Sequence, residues 1–357
     1  MKLENRDVVF VSNTLAKGGA ARVISILARE FSQQSLRIGV AAFNNFDGEY
    51  TLPDSVLKEY GPAGNGQVAK IKRIAWLREV AKRNPKATII AFEYFVNMQT
   101  IIACAGLPNK VVISERNDPA RVGNNLDWLR EHLYRHADML VCQTEDAANY
   151  FSDKVRKCVI LNPIKENLPE PYEGERRHAV VTFCRLEKQK NLDMLVYAFS
   201  EFVKGHPDYT LEVYGDGTEH DHLLGLIQKM GLVDKAFIYP GRSDVHEVVR
   251  DAAMFVLPSN YEGLSNSMLE AMAIGLPVIC TDCPCGGARM VIRDGENGYL
   301  VPVNAVDSLR LAMDTLATSA ELSQRLASRA VEVREELDCD SIVGEWLKTL
   351  DRQKFHQ

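Results

Sequence analysis

Two glutamates with seven residues between them stand out in Ser259-Asn-Tyr-Glu262-Gly263-Leu264-Ser265-Asn-Ser-Met-Leu269-Glu270. Ser265 is a good helix N-cap, Leu264 and Leu269 occupy the positions of a hydrophobic staple, and Gly275 followed by Pro277 is a stop signal. Glu262 is therefore expected in the loop before a helix, and Glu270 one to two turns inside it. A helix N-terminus offers unpaired N–H groups and partial positive charge to a phosphate, whereas carboxylates suit sugar hydroxyls. Together they fit a sugar joined to a phosphate, with the acids on the hydroxyl side. A loop glutamate and an early-helix glutamate are also ordinary helix-dipole partners, and the local sequence leaves both readings open.

A second segment, Val180-Val-Thr-Phe-Cys184-Arg185-Leu-Glu-Lys-Gln-Lys190-Asn191-Leu192, favours the ligand reading. A strand-like run ends at Cys184, and apolar residues then recur at Leu192, Leu195, Val196, Phe199, Phe202 and Val203, the spacing of a helix packed on a sheet. Arg185 thus leaves the carboxyl end of a strand and Lys190 precedes a helix, where open α/β sheets bind anions. Two cations placed there hold a diphosphate and stabilise the charge that grows as it departs. The competing reading is solvated surface charge, the usual fate of Lys and Arg.

These residues resemble the retaining GT-B nucleotide-sugar glycosyltransferases of glycosyltransferase family 4, in particular bacterial members that build cell-surface glycans. The matching segments are Lys17-Gly18-Gly19-Ala-Ala-Arg22, Arg185-Leu186 to Lys190-Asn191, Tyr214-Gly215-Asp216-Gly217, Pro240-Gly241-Arg242, Glu262 to Glu270 and Thr281-Asp282-Cys283-Pro284, in the family's order. The resemblance implies an α/β chain of two Rossmann-like domains whose parallel sheets face each other across a cleft. It implies that Arg185 and Lys190 bind the donor diphosphate, that Glu262 holds the donor sugar and that Glu270 holds the ribose. Gly263, Leu264 and Ser265 would meet the sugar or phosphate through backbone groups, Arg242 would border the base, and Gly215 would belong to the donor site. Gly18 and Gly19, after the strand Val8-Val-Phe-Val-Ser12, would face the diphosphate or acceptor; a plain strand-to-helix turn explains them equally well. Where many relatives carry a histidine, this chain reads Ser114-Glu115-Arg116-Asn117-Asp118-Pro119, which leaves Glu115 or Arg116 for that place on the acceptor side. Cys285-Gly286-Gly287-Ala288-Arg289 also departs from the family's pattern, with consequences for donor or acceptor preference.

The 357 residues, 46% of them hydrophobic, suffice for two domains with sizeable cores. Alternating strand and helix patterns place strands at 7–12, 36–42, 87–92, 109–114 and 138–142, then at 178–184, 209–214, 235–239, 253–257, 277–280 and 298–301, the pattern of parallel sheets. The proline-rich stretch Asn162–Gly174 reads as a linker. Expected domains are 1–168, which takes the acceptor, and 169–338, which takes the nucleotide sugar. Helices are expected at about 305–318, 320–336 and 340–355, and the resemblance implies that the last part, 339–357, crosses back to the first domain.

The chain carries −6 overall, but the first 170 residues hold +4 and the remainder −10. Positive charge gathers in residues 70–86, a helix ended by Pro85 with Ile71, Ile74, Leu77 and Ala81 as its apolar stripe and Lys72, Arg73, Trp76 and Arg83 opposite. Basic residues around an interfacial Trp suit an anionic membrane surface; a solvated helix packed on the sheet is the alternative. Net negative charge and the lack of an aromatic-basic platform argue against nucleic acid. Eight cysteines, Cys104, Cys142, Cys158, Cys184, Cys280, Cys283, Cys285 and Cys339, show no framework spacing, which favours a reducing compartment. The Cys280, Cys283, Cys285 cluster has no fourth ligand nearby, so no zinc is expected. The single Asp-x-Asp, Asp338-Cys339-Asp340, falls between C-terminal helices. With no apolar run of about 18 residues and no leader, a cytoplasmic protein is expected, at the inner face of the membrane if it docks there.

The expected activity is metal-independent transfer of a hexose or N-acetylhexosamine, with retention, from a UDP-sugar to a glycan or lipid-linked saccharide. The alternatives are a nucleotide-sugar epimerase or phosphorylase of the same fold, and a non-catalytic nucleotide-sugar-binding protein.

Overall fold

The computed structural model describes residues 2–16, 18–64, 66–122 and 127–350. Lys17 of the first glycine motif and residues 351–357, the end of the expected last helix, lie outside the described residues. The chain forms two compact units, one comprising residues up to Pro163 with the segment from Asp340 onward, the other Ile164–Cys339.

The first unit is built on a sheet of β1 (Val8–Thr14), β2 (Ile38–Asn44), β3 (Leu57–Tyr60), β4 (Thr88–Phe92), β5 (Lys110–Ser114), β6 (Met139–Cys142) and β7 (Lys157–Val159). Their order is β3-β2-β1-β4-β5-β6-β7, and every pairing is parallel. The inner strands are continuous apolar runs because helices cover both faces of a parallel sheet, which is why their pattern is readable. The two edge strands escape sequence reading: Leu57-Lys-Glu-Tyr has adjacent charges at its centre, and β7 has only three residues. In the core, Phe10 lies against Phe31 and Phe92, and Trp346 stacks on Phe92 with ring centroids 5.5 Å apart. Trp346 belongs to the helix Cys339–Lys348, and in the turn that follows it the Thr349 carbonyl accepts a hydrogen bond from Lys110 Nζ.

The helix expected at 70–86 runs from Gln67 to Arg83, and its faces differ from the expectation. Leu77 and Ala81 are buried, but Ile71 is 67% exposed, while Arg73 and Trp76 turn inward. Arg73 donates to the carbonyls of Pro62 and Gly64 and lies over the Phe43 ring, and Trp76 donates to Glu59. Their long apolar bodies pack while their polar ends find partners, so neither behaves as the solvent-facing residue its type suggests.

The second unit carries β8 (Arg177–Phe183), β9 (Thr210–Tyr214), β10 (Ala236–Tyr239), β11 (Ala252–Leu257), β12 (Val278–Thr281) and β13 (Tyr299–Val301). The order is β10-β9-β8-β11-β12-β13, again all parallel. Helix Leu192–Gly205 buries Leu192, Leu195, Val196, Phe199 and Phe202 against Leu211, Val213 and Met254, the face its spacing predicts. The helix expected at 320–336 is two, Ala320–Ala330 and Val333–Glu336. Among the described residues no helix is long and apolar enough to cross a membrane.

Truncating Trp346 removes the largest fully buried side chain and leaves Phe92 facing a cavity. Trp346→Ala is expected to cost the first unit about 3–5 kcal/mol, seen as a lowered midpoint in thermal or urea unfolding.

Candidate active site

In the second sheet the strand order reverses between β8 and β11, the place where open α/β sheets bind ligands at their carboxyl ends. Arg185 and Lys190 follow β8, and Glu262 and Glu270 follow β11, so all four flank this point. Lys190 ends a single 3₁₀ turn, Lys188–Lys190, and Asn191 in the left-handed conformation starts the next helix. The turn is tied to the loop after β11: the Asn260 N–H donates to the Gln189 carbonyl, Asn260 Nδ2 to the Lys188 carbonyl, and Gln189 Nε2 to the Tyr261 carbonyl.

Lys190 is only 8% exposed, and its ammonium pairs with Glu262 Oε1. Ser259 Oγ donates to the same oxygen at 2.8 Å, and Gln189 Nε2 lies 3.3 Å from Oε2. Burial pulls the Lys190 pKa down, but the Glu262 carboxylate outweighs it, so the group stands above its ordinary value and is a fixed cation. Arg185 is exposed and its guanidinium makes no hydrogen bond or ion pair among the described residues, and its charge opposes that of Lys190. Two cations that repel each other, only one of them compensated, suit a polyanion. Three thiols surround the pair: burial pushes Cys184 up to about 11 and Cys283 up to about 12, and raises Cys280 further, so all are neutral near pH 7.

Ser265 caps the helix Asn266–Ala273 as its sequence predicts, with Oγ 3.5 Å from the Met268 N–H. Leu264 and Leu269 are both buried, and the helix stops at Gly275 with φ +73°. Glu270 lies in the second turn of the helix, and His246 Nε2 donates to its Oε2 at 2.7 Å. The sequence offered no sign of this partner, 24 residues away and on another helix.

The glycines fix the surrounding loops by close approach of main chains. A Cβ on Gly215 would sit 1.9 Å from the Cys184 carbonyl oxygen, and one on Gly287 would sit 1.7 Å from that of Gly263. Gly215 therefore packs the end of β9 on the end of β8. The unusual Cys285–Ala288 segment packs on the loop holding Gly263 and Leu264. Arg242, after β10, is exposed and forms a two-pronged pair with Asp244.

The remaining expected residues lie in the first unit. Gly18, extended at φ 162°, precedes helix Gly19–Gln33; its carbonyl accepts from Arg22 N, and a Cβ there would meet only the Ala16 carbonyl at 3.9 Å. Local packing therefore does not require this glycine. Glu115 is buried at the end of β5, accepts a bond from Tyr134 Oη, and burial raises its pKa to about 7. Arg116 donates to Asn162 and lies over the Phe92 ring, and burial lowers its pKa to about 9. The adjoining strand end carries a residue that sequence reading missed: Glu93, exposed, with φ +80° and ψ 142°. That backbone region costs a non-glycine residue about 1–3 kcal/mol, and such strain concentrates at functional turns. Only its position in a strand-to-helix turn could have hinted at it.

Residues 164–333, the stretch that carries Arg185, Lys190, Glu262 and Glu270, match the family described as glycosyl transferases group 1. These residues belong to the group 1 glycosyltransferases. An uncharacterized glycosyltransferase of Haemophilus influenzae is 26% identical over 96% of this chain and 94% of its own length. The N-acetylgalactosamine-N,N'-diacetylbacillosaminyl-diphospho-undecaprenol 4-alpha-N-acetylgalactosaminyltransferase of Campylobacter jejuni is 26% identical over 94% of this chain and 97% of its own. Among solved structures, HepE of Anabaena in complex with UDP and glucose superposes with a TM-score of 0.83 at 19% identity, covering 97% of this chain and 99% of that one. The fold is thus GT-B, and residues 164–333 belong to the group 1 family that the motifs resemble.

Within this glycosyltransferase the buried Glu115 has a measurable signature. Its folded pKa lies above that of an exposed glutamate, so its contribution to stability is complete below the ordinary carboxylate range and is lost as pH rises through about 7. Glu115→Gln, which accepts from Tyr134 but cannot ionise, should gain in melting temperature relative to the unaltered protein between about pH 5 and about pH 8. Parallel thermal melts across that range check it.

Proposed function

We propose that the enzyme moves a hexose or N-acetylhexosamine, with retention and without a metal ion, from a UDP-sugar to a glycan acceptor, in particular a lipid-linked saccharide at the cytoplasmic face of a membrane. The second unit holds the donor and the first receives the acceptor. The observation that carries the reading is the cation pair at the reversal of strand order: Lys190 held charged by Glu262, and Arg185 left open. UDP as carrier is supported by HepE structures containing UDP-glucose and by the pneumococcal O-GlcNAc transferase GtfA with UDP and GlcNAc. A lipid-linked acceptor is supported by the diphospho-undecaprenol in the name of the Campylobacter relative.

In this mechanism Arg185 and Lys190 grip the diphosphate and take up the charge it gains on leaving, the task a divalent ion performs in other transferases. Glu262 and the backbone of Gly263 to Ser265 hold the sugar, and Glu270 holds the ribose. The bond from the anomeric carbon to phosphate oxygen breaks as the bond to the acceptor oxygen forms on the same face. The acceptor's proton passes to the departing phosphate oxygen, so no protein nucleophile is needed. In the first unit, Gly18 and Gly19 let main chain approach the acceptor, and Glu115, Arg116 and Glu93 border it.

Val68 and Ile71 are about two-thirds exposed on helix Gln67–Arg83, Phe95 is 46% exposed on the neighbouring helix Tyr94–Cys104, Lys70 lies over its ring and Lys72 is exposed beside them. Apolar side chains among lysines suit an anionic bilayer surface.

Arg185→Ala and Lys190→Ala should each lower acceptor-dependent release of UDP by about 10²-fold or more. Near-normal turnover in both discards the assignment, and NMR of the product should show the donor's anomeric configuration. Ile71→Glu should abolish sedimentation with vesicles containing phosphatidylglycerol while leaving turnover on a water-soluble acceptor intact.

A further inference from the structure

We infer that His246 is the positioning residue for Glu270 and, through it, a determinant of ribose recognition; the inference rests on the reading of Glu270 as the ribose-binding acid. Glu270 is 8% exposed and His246 6%, so water contributes little to satisfying either side chain. A carboxylate only accepts hydrogen bonds, so the 2.7 Å contact requires the proton on Nε2, in neutral and cationic imidazole alike. One oxygen of Glu270 is thereby anchored, and the plane of the carboxylate is set before a ligand arrives.

The imidazole is itself held by packing. Phe183, the last residue of β8, meets it edge-on at 5.4 Å and 79°, and its helix, Val245–Val249, is fastened by buried Val245 and Val249. That helix follows, after a two-residue turn, the Pro240–Arg242 segment beyond β10, which is expected to border the base. The His246–Glu270 bond therefore joins the segment assigned to the base to the helix assigned to the ribose. A vicinal diol offers two donors to one acceptor-only group, and the discrimination available from such a pairing depends on the acceptor's direction being fixed.

The test is calorimetric titration of the full-length protein with whichever of UDP, GDP and ADP binds most tightly, and with its 2',3'-dideoxy counterpart. The unaltered enzyme should prefer the ribonucleotide, and Glu270→Ala should erase that preference. His246→Leu should weaken the ribonucleotide about tenfold while leaving the dideoxy compound unchanged, one charge-assisted hydrogen bond's worth of discrimination. Because His246→Leu alters a buried site and could fail to fold, the decisive pair is His246→Gln and His246→Asn. The longer amide reaches Oε2 and should retain the preference; the shorter one should lose it, with donor KM raised and kcat little changed. If Glu270→Ala erases the preference but His246→Asn and His246→Leu keep it, His246 has no positioning role. If Glu270→Ala keeps the preference, the ribose reading of Glu270 falls and the inference with it.

Discussion

A lysine nitrogen withdrawn from water requires a fixed negative charge beside it, and the pair of Lys190 with Glu262 is the contact on which the site of the second unit depends. The two residues come from opposite sides of the strand-order reversal, so their attraction spans the place where a ligand is expected. Glu262 accepts from Ser259 and Gln189 as well, and Thr281 Oγ1 donates to the Ser259 carbonyl, which ties the loop to the end of β12. The charge balance gives this arrangement its chemical direction. Glu262 neutralises one cation and the exposed Arg185 leaves a second over, an excess of positive charge that suits an anion.

Side-chain charge holds position only if the loops bearing it do not drift. In this chain the loops are set by main-chain contacts that no Cβ could enter, Gly215 on Cys184 and Gly287 on Gly263, with Gly217 lying as closely on Leu186. The Leu186 N–H donates to the Asp216 carbonyl and the Cys184 N–H to that of Tyr214, so the ends of β8 and β9 are laced together beyond the sheet itself. Glycines that look like ligand-contacting positions in the sequence thus act first as spacers between strand ends.

The first unit shows a different economy of charge. Glu115 and Arg116 sit side by side, and burial moves both toward neutrality, one up and one down. Glu93, on the next strand end, remains exposed and is held at positive φ by bonds from its N–H to the Ser114 carbonyl and from the Asn97 N–H to its own carbonyl. The backbone thus presents a carboxylate to solvent beside two ionisable groups that it has withdrawn.

Much of this was legible in the chain itself. Buried parallel strands are largely apolar runs, so eleven strands could be located from the sequence pattern, and the cap at Ser265, the stop at Gly275 and the buried face of helix Leu192–Gly205 follow from local rules. The spacing of Glu262 and Glu270 and the position of Arg185 and Lys190 at a strand end also needed nothing beyond sequence. What the tertiary structure decided was which polar groups meet. Lys190 finds Glu262 across 72 positions and Glu270 finds His246 across 24, because strand order brings distant loops to one edge. It also decided the faces of helix Gln67–Arg83, where Arg73 and Trp76 turned inward against their type. Periodicity records how many apolar groups a face offers; it cannot record which carbonyl or carboxylate waits on the surface that face will meet.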